Sequence, residues 1–153
     1  MRTTLFTIAT ILVISTGLSQ EILAKDWQIK TALKAVPKDY QEGAKIYGYA
    51  ANGDFVTLRE GTNDYIALAD DPRDNKFSTA AYHKELDGFM ARGRQLKAQV
   101  KEFQEIFDIR EAEVKSGQLK MPDKSTLCVF TGEVNPKTKN IDNPYDRYVI
   151  NIP

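Results

Sequence analysis

The sequence predicts an α+β domain: an antiparallel β-sheet of five or six strands with helices packed mainly on one face. Three observations carry this reading. Short runs rich in aromatic and β-branched residues alternate with turn signals, of which Asn52-Gly53 is the clearest. From Leu86 to Phe107 the apolar residues recur alternately three and four apart, which is the period of a helix. A second block of strand-type residues then closes the chain, from Thr126 onward.

The first 24 residues are read apart from the fold. Arg2 is a single-charge start, Leu5 to Leu18 is an apolar run, and Ser19 to Ala24 is a polar stretch ending in a small residue. This is the layout of a secretory signal peptide. The apolar run is short of the ~20 residues that a membrane span requires, and no cysteine follows it to carry a lipid. Cleavage after Ala24 fits the pattern best, with Ser19 as the second choice. The expected organisation is a signal peptide over 1–24 and one α+β domain over 25–153, exported to the periplasm or beyond the cell.

Charge narrows the partners. Basic and acidic side chains number 21 each, and removing residues 1–24 takes one of each sign, Arg2 and Glu21. A neutral chain lacks the basic bias of a nucleic-acid binder and offers no net steering toward acidic lipids. The only cysteine, Cys128, cannot form an intrachain disulfide, so packing alone must stabilise the domain. Its setting in Leu127-Cys128-Val129-Phe130 points to a buried, inert thiol.

In chain order, Asp26 suits the N-cap of a helix from Trp27, with Ile29, Leu33 and Val36 on its apolar face. Pro37 interrupts it, and a turn continues to residue 42, giving a kinked helix over 27–42. Residues 45–51 and 54–60 form a hairpin about Asn52-Gly53, read as a type I′ turn. Gly61-Thr62-Asn63-Asp64 turns again into a strand over 65–69, completing a three-stranded antiparallel meander. Asp70 to Asn75 is a loop on its chemistry. Phe77 to His83 fits either a capped helix or an alternating strand, and its aromatic, Ser and Thr content favours the strand.

A single helix over 84–116 would be about 50 Å long, against a radius of gyration of ~14 Å for a domain of this size. The expected structure is therefore a break near Gln99 to Glu102 and a two-helix hairpin on the sheet. A straight rod with a coiled-coil dimer seam is the alternative. Strands over 126–131 and 147–152 follow, joined by a long polar loop over 135–144.

The chemistry-bearing residues concentrate in the middle of the chain. Asp70 and Asp71 with Asp74 lack the alternating acidic pattern and central glycine of a calcium loop, so turn-capping aspartates are the reading and no metal is assigned. His83, the only histidine, would need an orienting carboxylate to act as a base; Asp70, Asp71, Glu85 and Asp87 are the choices by sequence. Arg92 and Arg94 lie about 200° apart around a helix, so only one can meet the acidic loop. Asp70, Asp71, His83 and Arg92 thus form the candidate ligand-binding or structural polar cluster, with one arginine pairing Asp70 or Asp71.

The segments Leu58 to Tyr65 (LREGTNDY), Leu68 to Pro72 (LADDP), Ala81 to His83 (AYH) and Phe89 to Arg94 (FMARGR) resemble a set of exported bacterial proteins of unassigned function. That resemblance implies export and one compact domain; it transfers no catalytic role. The function expected is non-enzymatic binding of a small ligand or a protein partner, with no cofactor. The alternative is a hydrolase-like enzyme using His83 with Asp70 or Asp71 as an acid/base pair. Oligomeric state is left open.

Overall fold

The computed structural model describes residues 22–99 and 101–151. The expected signal peptide falls outside them apart from Ile22 to Ala24, as do Val100 of the helical stripe and Ile152. Helix α1 (Lys25–Ala32) comes first, followed by short 3-10 turns at Leu33–Ala35 and Lys38–Tyr40 on either side of Pro37. Strands β1 (Lys45–Tyr49), β2 (Phe55–Arg59), β3 (Tyr65–Leu68) and β4 (Phe77–His83) precede a 3-10 turn at Lys84–Leu86. Helices α2 (Asp87–Ala98) and α3 (Phe103–Lys115) come next, and β5 (Ser125–Val134) and β6 (Ile141–Asn151) complete the fold.

The six strands form one sheet in the order β2-β1-β3-β4-β5-β6. This is the predicted α+β class, and most of the pairings are antiparallel. The meander is corrected. β1 lies between β2 and β3 and runs parallel to β3, with Lys45 opposite Ile66 and Tyr47 opposite Leu68. The chain leaving β2 must therefore cross the start of β1 to reach the far side. Gly61 is in that crossing, where an added Cβ would lie 2.6 Å from the Lys45 backbone nitrogen. Only a residue without a side chain lets the two backbones come so close.

The hairpin turn also differs in type. Gly53 has φ +88°, whereas Asn52 is not among the positive-φ residues. Gly53 N–H donates to Ala50 and Ala50 N–H to Asp54, so the loop is a three-residue turn closed by a left-handed glycine.

Helices and turns cover both faces at the centre of the sheet, whereas residues 142–150 of β6 are exposed. Phe77, Ala81, Ile46, Ala67, Cys128 and Phe130 pack with Ala32, Ala35 and Val36 of the α1 region. On the alternate positions, Ile66 and Tyr82 pack with Leu86, joined by Leu68, Phe89 and Met90. The larger helical mass, α2 with α3, is on this second face, and α1 lies on the first. The expected helix break falls between Ala98 and Phe103, and α3 folds back on α2. The absent side chain of Gly93 makes room for the Arg110 guanidinium, which lies 4.3 Å from the Phe89 ring centroid. The α1 face is shifted from expectation: Val36 is buried as expected, together with Gln28, Thr31, Ala32 and Ala35, while Ile29 and Leu33 are half-buried against the core. Finally, β6 starts at Ile141, so the predicted long loop shrinks to residues 135–140 and the last hairpin is longer.

Candidate functional site

The loop after β3 divides the work of its aspartates. Asp70 turns inward: its Oδ1 accepts the Ser78 N–H at 2.8 Å, which fixes the start of β4. The same carboxyl lines a cleft of about 210 Å³ with Leu23, Trp27, Gln28, Tyr49 and Lys139. Burial pushes the Asp70 carboxyl up to about 6, against the lowering effect of the Ser78 N–H, and the neighbouring Asp74 and Asp71 charges add to the rise. Burial likewise pushes Tyr49 up to about 12, with the Asp71 charge assisting. Trp27 closes one wall by donating Nε1–H to the Lys139 carbonyl at 2.8 Å.

Asp71 does the opposite. Burial disfavours its charge, yet hydrogen bonds from Arg73 and Lys97 outweigh that and hold the carboxyl far below the ordinary range. Arg73 grips both oxygens, Nε to Oδ1 and Nη2 to Oδ2, each at 2.8 Å. Lys97, in the last turn of α2, reaches Asp71 at 2.9 Å and Asp74 at 2.6 Å. The loop is thus tied to the helix as expected, but through Lys97 and not through Arg92 or Arg94.

Those two arginines serve the helical layer. Arg92 forks onto Glu113 of α3. Arg94 donates to the Tyr82 hydroxyl at 3.0 Å and to Asp87 at 3.2 Å, while Tyr82 itself donates to Asp87 at 2.9 Å. Its guanidinium carbon lies 5.0 Å from the centroid of the exposed Phe55 ring.

His83 is at the other end of β4. Five residues separate it from Ser78, or ~17 Å along an extended strand. Its ring nitrogens lie 3.7 Å from Asp64 and 3.6 Å from Glu85, and Nδ1 accepts the Glu85 N–H. The four-residue cluster is therefore not one cluster. Asp70 and Asp71 stay together, whereas His83 and Arg92 belong to other parts of the surface, and the His83–Asp70/Asp71 acid/base pair is not assembled.

Sequence reasoning missed Trp27, Gln28 and Lys139 as walls of the Asp70 cleft. The signal for Gln28 was slight: a polar residue among the small ones at 31, 32 and 35, the spacing of a closely packed helix face.

The raised Asp70 carboxyl predicts a pH effect of definite sign. Its folded pKa of about 6 exceeds the ~3.9 of an unfolded aspartate, so the native state holds the extra proton between those values. Stability is greatest below pH ~4 on this account and falls as pH rises toward 6. Asp70→Asn keeps the acceptor for Ser78 and removes the charge. Thermal melts should show the variant more stable than wild type at pH 8 and no more stable at pH 4; equal gains at both pH values would contradict the assignment.

No protein-family model matches the chain, and no curated protein or solved structure matches it either.

Proposed function

We propose that this is an exported, non-enzymatic domain that binds a small ligand in the cleft beside Asp70. The observation that carries the reading is a single one: a carboxyl whose pKa is raised to about 6 faces a preformed cleft walled by Trp27 and Tyr49. Perturbed carboxyls in concave, partly apolar settings concentrate at binding sites. At about 210 Å³ the cleft is below the ~300–1,000 Å³ of pockets for drug-sized ligands, which suits a small metabolite with one flat apolar side. A donor group on that ligand, such as an amine or amide, would meet the Asp70 carboxylate. Export is supported by the pattern of residues 1–24 and by the resemblance of the central motifs.

The test is a thermal-shift screen of small amines, amides and amino acids at pH 8, followed by calorimetry. A hit should lose about tenfold or more in affinity with Asp70→Asn, the equivalent of ~1.4 kcal/mol for a charge-assisted hydrogen bond. A hit of undiminished affinity in that variant, or one displaced from the cleft to another surface by crystallography, would sink the proposal.

A further inference from the structure

We propose that the groove between α1 and the β5–β6 hairpin docks an acidic, partly apolar segment of another polypeptide. Two adjoining cavities, of about 380 and 830 Å³, share Lys30, Lys34 and Phe130 and run along this face. The groove exists because α1 and its following turn are short. They cover the sheet as far as Cys128 and Phe130, while β6 beyond them carries Tyr148 and Ile150 at 64% and 65% exposure. Tyr148 is opposite Cys128 in the β5–β6 register and so faces the groove.

Charge identifies the occupant. Lys30, Lys34 and Lys38 follow one another at four-residue intervals along one rim, facing Tyr148 of β6. Lys30 and Lys34 are about one helical turn apart, ~5–6 Å. On the opposite, α2-bearing side, Arg73, Arg92, Arg94 and Lys97 all hold carboxylates. Among the described residues, none of Lys30, Lys34 and Lys38 has an ion-pair partner, and the only carboxylate on the wall is Asp146. A row of unmatched cations over an apolar floor calls for several anionic groups on one chain that also carries apolar side chains. An acyl chain supplies one head group and would leave most of the row unmatched. An extended acidic segment matches it along its length, with its apolar side chains on Phe130 and Tyr148. This surface meets the Asp70 cleft at Trp27 and Lys139, and none of Lys30, Lys34, Lys38, Phe130 and Tyr148 lines that cleft.

Fluorescence anisotropy with the purified protein and a labelled peptide of alternating Glu and Leu provides the test, with the same peptide carrying Gln for Glu as control. The acidic peptide should bind more tightly than the control, and less tightly as salt is raised. Lys30→Glu, Lys34→Glu and Lys38→Glu combined should weaken it by at least ~10-fold, since exposed charge pairs give up to ~1 kcal/mol each. All three lysines are exposed, so an unchanged thermal melt verifies the fold of the variant. A separate Tyr148→Ser variant should weaken both peptides. Equal binding of the two peptides, undiminished binding to the triple variant, or no binding below ~1 mM would overturn the proposal. So would displacement of the peptide by stoichiometric dodecanoate or by phosphatidylglycerol vesicles.

Discussion

Replacing Gln28 by alanine should lower the unfolding free energy by about 3 kcal/mol and the melting temperature by roughly 10 °C. Gln28 is 4% exposed, and its amide is fully employed. Nε2 donates to the Tyr49 carbonyl at 2.9 Å and Oε1 accepts the Tyr49 N–H at 2.9 Å. A further Nε2 bond, to the Leu23 carbonyl at 2.8 Å, is made only in a chain that keeps residue 23. β3 ends at Leu68, opposite Tyr47, so Tyr49 has outrun its strand neighbour. The Gln28 side chain takes the place of the missing strand. Gly48 makes room for it: a Cβ there would be 2.6 Å from Gln28 Oε1 and 2.4 Å from Leu58 Cδ1. Without the amide, a buried N–H and C=O lose their partners, at ~1–3 kcal/mol for each unsatisfied group. Gln28→Met preserves most of the volume while deleting the bonds. Denaturant titration of both variants separates packing from bonding, and a Gln28→Met protein as stable as wild type would refute the bonding account.

The second large effect is expected at Tyr82, which is fully buried between the sheet and α2. Tyr82→Ala removes an aromatic ring from the contact with Ile66 and Leu86 and should cost about 3–5 kcal/mol. Tyr82→Phe keeps the ring and deletes only the hydroxyl that joins Asp87 and Arg94. Its cost should be about 1–2 kcal/mol, because Arg94 and Asp87 retain each other. Burial is the main reason the Tyr82 phenol is pushed above its ordinary range, so the hydroxyl stays protonated and remains a donor to Asp87. Equilibrium unfolding of the two variants gives the ratio directly. A Phe variant as damaged as the Ala variant would assign the stability to the polar triad instead of to packing.

What could be read from the sequence was local, and what could not was register. The strands over 45–49, 55–59, 65–68 and 77–83 were legible because alternation and turn residues are written within each segment. The place of β1 between β2 and β3 was not, since nothing within a strand states which neighbour docks on its free edge. Chain length against domain size located the break between α2 and α3. On α1 the large apolar residues 29 and 33 mark the edge of the buried side and not its centre, because the small residues at 31, 32 and 35 allow the closer approach to the sheet. At the site, Asp70 and Asp71 were legible as turn-forming acids. Their partners were not: Lys97 is 26 residues from Asp71, and Trp27 and Lys139 are 112 apart. His83 failed as their companion for one geometric reason, the length of β4.

Cys128 on the groove floor has a practical consequence. It is 6% exposed, and burial, with the Asp146 charge, raises its pKa. Such a thiol alkylates slowly, because little thiolate is present and reagent must enter through the groove. Any chain lying across Phe130 and Tyr148 slows it further. Since the sequence holds no second cysteine, each modified molecule shows as one added mass, and the reaction half-time becomes a label-free clock for occupancy of that face.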